Sequence, residues 1–174
     1  VNDAPVADDD ASSVTEDSIV RVRANGDDLL NDDSDTENDS LTVTLIKPLN
    51  GSNTSISSGS STTITGTYGQ LTVNSNGSYT YRANQDAADT LDTGESAEEK
   101  FVYTVSDGNG GTDTGILTIT INGVEDNPNA VKDNVSLNIS QSLTLTGNAI
   151  TNDIDPDDSL TIVGCGQGQN PNNG

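Results

Sequence analysis

The residues of this chain best equipped for chemistry are carboxylates at every second position. Asp33-Ser-Asp35-Thr-Glu37-Asn-Asp39 sets four of them in one short stretch, and Asp153-Ile-Asp155-Pro-Asp157 keeps the same rhythm far downstream. Calcium is a hard cation that takes about six to eight oxygens, so alternate residues of a curved loop can supply its carboxylates and carbonyls. The spacing therefore points to Ca2+ at Asp33, Asp35, Glu37 and Asp39, and at Asp153, Asp155 and Asp157. The alternative is an ordinary solvated acidic loop, since 28 acids produce some alternation by chance.

A second group is Asp107-Gly-Asn109, with Asp113 beyond a pair of glycines that let the backbone curl. It has the look of half a calcium loop, but it lacks the bidentate Glu at the EF-hand spacing. Asp-Gly and Asn-Gly serve equally well as hairpin residues, so a plain turn stays open here.

The elements that must position these groups are strands. Leu41-Thr-Val-Thr-Leu45 alternates apolar and hydroxyl residues, and Leu71/Val73 and Tyr79/Tyr81 flank Asn76-Gly77 as a hairpin. Phe101, Tyr103 and Val105 form the next alternating set, followed by a turn at Asp107–Gly111 and a strand faced by Leu117, Ile119 and Ile121. Val20 and Val22 give an earlier strand with Arg21 and Arg23 on its wet face, and Tyr79, Tyr81 and Tyr103 read as core residues rather than a sugar platform. Gly51 to Ser61 reads as a flexible Ser/Thr/Gly loop. The acidic stretch from Asn84 to Glu99 reads as a loop, with a helical turn left open. No segment has helical periodicity, so the fold class is all-β, an antiparallel sandwich.

Composition bounds the function. Across 174 residues, 6 Lys plus Arg stand against 28 Asp plus Glu, a net charge of −22 with no histidine. Imidazole and zinc chemistry are disfavoured, and phosphate backbones are repelled, so no nucleic-acid partner is expected. No apolar run approaches a membrane span, so no membrane insertion is expected. The N-terminus carries no leader, so any targeting signal is expected to lie outside this sequence. A single cysteine, Cys165, offers no internal disulfide. With only 30% hydrophobic residues the core is thin, and disorder is the competing reading that the strand pattern opposes.

The chain also repeats itself. Val1-Asn-Asp-Ala-Pro-Val-Ala7 returns as Val124-Glu-Asp-Asn-Pro-Asn-Ala130, and at the same offset Asp10 matches Asp133. Asn31-Asp32 then aligns with Asn152-Asp153, and Asp39-Ser-Leu-Thr-Val43 with Asp158-Ser-Leu-Thr-Ile162. One complete unit is expected over residues 1–123, the start of a truncated second over 124–163, and a Gly/Asn-rich tail over 164–174.

The opening Val1–Ala7 motif, the acidic loop before Leu41-Thr-Val, the Gly69–Tyr81 hairpin and Phe101-Val-Tyr-Thr-Val-Ser-Asp-Gly-Asn-Gly-Gly-Thr-Asp113 together resemble the bacterial cadherin-like repeats often called VCBS domains. Such repeats occur in tandem in very large secreted, RTX-type surface adhesins. The resemblance implies a Greek-key, cadherin/immunoglobulin-like β-sandwich with calcium at the junctions between repeats. Asp3, Asp8 and Asp10 around Pro5, their counterparts Asp126 and Asp133 around Pro128, and Glu16 stand at such a junction by this resemblance. The implied function is a calcium-stiffened structural and adhesive module at the bacterial cell surface, active in adhesion and biofilm. Its partners would be neighbouring repeats, with polysaccharide or a cell-surface protein beyond them. A calcium-dependent exopolysaccharide-binding module is the alternative. Catalysis is not expected, because a thin sandwich leaves little room for a cleft flanked by paired carboxylates.

Overall fold

The computed structural model describes residues 1–127, 130–131 and 153–156. It separates into two units, Val1–Glu125 and Asp126–Gly174. The first contains all nine strands among the described residues: β1 (Asp10–Thr15), β2 (Ile19–Val22), β3 (Thr42–Pro48), β4 (Thr54–Ser55), β5 (Ser61–Thr65), β6 (Gly69–Asn74), β7 (Tyr79–Ala83), β8 (Ser96–Ser106) and β9 (Thr112–Asn122). One sheet runs β1-β9-β8-β3-β4 and the other β2-β7-β6-β5. Consecutive strands repeatedly change sheet, which is the interleaved connectivity of a Greek-key sandwich.

Period-two alternation builds this core from few apolar residues. Leu71, Val73, Tyr81, Phe101, Tyr103, Val105, Leu117, Ile119 and Ile121 are all fully buried, each two positions from the next in its strand. The rings of Tyr81 and Phe101 meet across the two sheets edge-to-face, with centroids 6.2 Å apart and planes at 61°. The β6–β7 hairpin turns at Asn76-Gly77, where Gly77 has a φ of 83°, a conformation that glycine enters without a Cβ penalty.

Three details depart from the sequence expectation. The β1–β9 pair is parallel, matching Asp10 with Leu117 through Thr15 with Asn122, so the first sheet is mixed. In β3 the register shifts between Val43 and Leu45. This bulge brings Ile46, rather than Leu45, to the core beside Val43. The Gly51–Ser61 stretch is not a free loop: Thr54–Ser55 pairs with β3, and Ile56 is buried. From Asn84 to Glu95 the chain makes successive turns, with Ala88 N donating to Gln85 O and Leu91 N to Ala88 O, before β8 begins.

The topology gives the first unit two distinct ends. The N-terminal segment, the acidic loop before β3, the β6–β7 turn and the β8–β9 turn gather at one end. The end of β9, the β5–β6 turn and the turn after β3 lie at the other. Among the described residues no helix is long and apolar enough to cross a membrane.

Candidate functional site

The N-terminal segment lies along the acidic loop as an isolated antiparallel bridge, with Val6 N to Ser34 O at 2.8 Å and Ser34 N to Val6 O at 3.0 Å. Around this bridge the carboxylates organise the backbone. Asp33 Oδ1 accepts from Asp8 N at 2.9 Å, and Glu37 Oε2 accepts from Asp3 N at 3.2 Å. Asp35 Oδ1 accepts from both Glu37 N at 3.0 Å and Asp39 N at 2.9 Å, curling the loop back on itself, with Asn38 in a left-handed conformation. Each of these two aspartates keeps its second oxygen buried without a hydrogen-bond partner: Asp33 Oδ2 and Asp35 Oδ2. An orphaned acceptor of that kind is costly unless a proton, water or cation meets it.

The β8–β9 turn joins the same end. Asp107 Oδ1 accepts from Asn109 N at 2.7 Å and Gly111 N at 3.0 Å, while Oδ2 takes the Asn2 side-chain amide at 2.7 Å. Those donors, the Asn2 amide first, hold its carboxyl below the usual range. Both Asp107 oxygens are thus engaged in shaping the turn. Asn109 reaches across to Asp39 Oδ2 at 2.7 Å. Asp113 Oδ2 accepts from Ala7 N at 3.0 Å, and this bond lowers its pKa.

Beneath the loop sits a second layer of negative charge. Burial pushes Asp10 up to about 6, reinforced by Asp32, Asp33 and Asp28, while the hydrogen bond from Tyr103 pulls the other way. Burial also raises Asp33 to about 6, with Asp32, Asp8 and Asp113 adding repulsion and the Asp8 amide opposing it. Asp28 and Asp32 escaped the alternation pattern because they lie upstream of it, in Asp27-Asp28-Leu29-Leu30-Asn31-Asp32. Asp28, 3% exposed, accepts from Leu30 N at 3.1 Å. Tyr103, read from sequence as core alone, also sends its hydroxyl to Asp8 O at 2.6 Å and Asp10 Oδ2 at 2.7 Å.

The end therefore brings Asp3, Asp8, Asp10, Asp33, Asp35, Glu37, Asp39, Asp107, Asn109 and Asp113 together on three segments. Among the described residues, no three Asp, Glu, His or Cys side chains converge closely enough to hold a metal ion as they stand. The donors are nonetheless all oxygen, two of them orphaned and buried, which is the chemistry of a calcium rather than a transition-metal site.

Glu16 belongs to the opposite end. It is 2% exposed, accepts from Val124 N, and its own amide donates to Asn122 O at 3.0 Å, so it anchors the exit of the first unit. In the second unit Val131 N donates to Asp153 Oδ1 at 2.6 Å. This reproduces the Asp8–Asp33 bond, since Val131 occupies the position of Asp8 in the repeat. Asp153 is thus the counterpart of Asp33 and Asp155 that of Asp35, a one-residue correction to the alignment of Asp153 with Asp32. Asp126, Asp153 and Asp155 are each half-buried. Asp133 and Asp157, the tail and Cys165 lie outside the described residues.

The profile of the family described as bacterial cadherin-like domain matches residues 2–123. The calcium-binding lectin RapA2 of Rhizobium johnstonii is 36% identical over 151 residues, covering 85% of this chain and 59% of that protein. The chain thus spans about three-fifths of the curated relative it matches. A solved structure, a nucleoside hydrolase-related hypothetical protein from Saccharophagus degradans associated with carbohydrate metabolism, is 18% identical over 70% of this chain and 26% of that one, with a TM-score of 0.38.

Proposed function

The chain belongs to the bacterial cadherin-like domain family, and from that premise we propose that it is a calcium-binding structural and adhesive module of a larger extracellular protein. The observation that carries this reading is the pair of buried, unpartnered oxygens on Asp33 and Asp35, in a loop that the other Asp35 oxygen curls and the other Asp33 oxygen ties to the N-terminal segment. Asp33, Asp35, Glu37 and Asp39, with Asp8, Asp10 and Asp113 close by, are the residues that would hold the ion. Calcium, when bound, supplies positive charge and ligand bonds where the chain has only repulsion. The chain's own contribution is to gather three segments in the right order and to orient them through Tyr103, Asp107 and Asn109.

In this reading Glu16 and Asp126 serve the junction between successive repeats, with Asp153, Asp155 and Asp157 forming the second unit's copy of the loop. A tandem array of such units would be pliant without calcium and stiff with it. Extracellular modules bind calcium at about 10⁻⁴–10⁻³ M, so the array would load after secretion and serve adhesion or biofilm at the cell surface. No catalytic role is proposed.

The experiment is thermal melting followed by far-UV circular dichroism in EGTA, then across calcium from micromolar to millimolar, with magnesium as control. A rise in melting temperature specific to calcium, and lost in the Asp33→Asn/Asp35→Asn double variant, is the expected result. Melting indifferent to calcium would overturn the proposal.

A second reading, calcium-dependent carbohydrate binding, is favoured by the relative, a calcium-binding lectin at 36% identity. Glycan-array binding that disappears with EGTA is its expected signature.

A further inference from the structure

Of the five aromatic side chains, Tyr79, Tyr81, Phe101 and Tyr103 are buried in the core, while Tyr68 packs against the edge of that core and stays half-exposed. Tyr68 stands in the β5–β6 turn, which is closed by Gly66 N to Gly69 O at 2.8 Å. The amides of Thr67 and Tyr68 both donate to Glu99 Oε1, the latter at 3.4 Å, and Tyr81 Oη donates to Glu99 Oε2 at 2.7 Å. Glu99 is 7% exposed, so a buried carboxylate on one sheet pins a turn of the other. Across from it, the turn after β3 is closed by Gly51 N to Pro48 O at 2.8 Å, and Leu49 N donates to Lys100 O at 2.9 Å.

Between these two fixed turns lies a cleft of about 410 Å³ whose walls include Pro48, Leu49, Tyr68, Glu98 and Lys100. That size falls in the range of small-ligand sites. Leu49 is exposed at 44% despite being apolar. Lys100 Nζ and Glu98 Oε2 stand 3.2 Å apart, leaving a locally balanced donor and acceptor on a chain of charge −22. A pyranose has complementary chemistry: an apolar face of C–H groups and a rim of hydroxyls that both donate and accept.

We propose that this cleft is a pyranose-binding subsite, with the ring stacked on Tyr68 against Pro48 and Leu49 and its hydroxyls met by Lys100 and Glu98. The inference rests on the carbohydrate-binding reading above and locates the sugar at the end of the sandwich opposite the acidic loops. The sugar then contacts side chains directly, and calcium acts on binding only through the stability of the fold.

The test is a glycan array of neutral gluco-, galacto- and manno-oligosaccharides with the full chain in calcium, followed by calorimetry with the strongest ligand. Tyr68→Ala should weaken binding at least about tenfold and Lys100→Ala several-fold, while Tyr68→Phe, which keeps the stacking face, should stay within about threefold. Circular dichroism checks each fold, and the exposed-site variant Leu49→Ser reports on the cleft if Tyr68→Ala unfolds. Wild-type binding that survives in all these variants would sink the subsite and leave the carbohydrate reading standing. No binding by the wild type to any of these neutral glycans would overturn the subsite, and no binding to acidic glycans either would overturn the carbohydrate reading with it.

Discussion

The Tyr103 hydroxyl lies 2.7 Å from Asp10 Oδ2 and 2.6 Å from the Asp8 carbonyl oxygen, which ties the β1 carboxylate of the acidic end to the core. A phenol has one proton for two acceptors. The hydroxyl shares that proton between the Asp8 carbonyl and the Asp10 carboxyl, and burial raises the carboxyl to about 6 against the pull of this bond.

Stability without calcium should therefore fall with rising pH. Asp10 and Asp33 go from 3.8 to about 6 on folding, so between those values the folded chain holds more protons than the unfolded chain. Their contribution is present at the acidic side and lost as pH rises through about 6. In EGTA the melting temperature should drop between about pH 4.5 and pH 7.5, and Asp33→Asn should flatten the drop. With saturating calcium the slope should shrink, because the cation replaces the protons. A melting temperature that climbs with pH in EGTA contradicts the assignment.

Gly115 faces the same tyrosine. A Cβ there would run into the Tyr103 hydroxyl and stand 2.7 Å from the Asp8 carbonyl. Gly115→Ala should cost about 2 kcal/mol through overpacking and weaken calcium binding by displacing the N-terminal segment. Tyr103→Phe keeps the packing and should cost about 1 kcal/mol. Urea titration and calcium calorimetry on the pair separate packing from hydrogen bonding.

Glu99→Ala leaves the Tyr81 hydroxyl and the Thr67 and Tyr68 amides without their acceptor, at a cost of about 3 kcal/mol. Glu99→Gln retains an acceptor and should cost about a third of that. A Glu99→Ala urea midpoint equal to that of the unsubstituted chain would show that the carboxylate is dispensable to the turn.

Glu16→Ala should expose the unit's exit. Val124 N loses its acceptor, so about 1–3 kcal/mol is the expected loss, and hydrogen exchange at Val124 should accelerate while exchange in the β6–β7 hairpin stays slow. Unchanged exchange at Val124 would count against the anchor.

Much of this was legible in the sequence because a two-residue period dictates which side chains face inward. Leu71, Val73, Tyr79, Tyr81, Phe101, Tyr103, Val105, Leu117, Ile119 and Ile121 all went where the alternation put them. What escaped has identifiable causes. Asp10–Thr15 reads as polar, and only its parallel pairing with the last strand makes it a strand. The bulge between Val43 and Leu45 inverts the pattern within one element. Asp28 and Asp32 reach the acidic end from outside the alternating run, and Glu99 is buried by a turn from the other sheet; neither proximity has a local signature. Tyr68 breaks the aromatic rule through its position in a turn rather than a strand.

The parallel pairing of β1 and β9 has a mechanical consequence. The chain enters the sandwich through β1 at one end and leaves it through β9 at the other. Tension between neighbours in a longer polypeptide would drag these two strands past each other along their length. All the ladder bonds from Asp10–Leu117 to Thr15–Asn122 then resist together instead of opening one after another. The unit is built to withstand pulling along its axis, and peeling the strands sideways would take far less force.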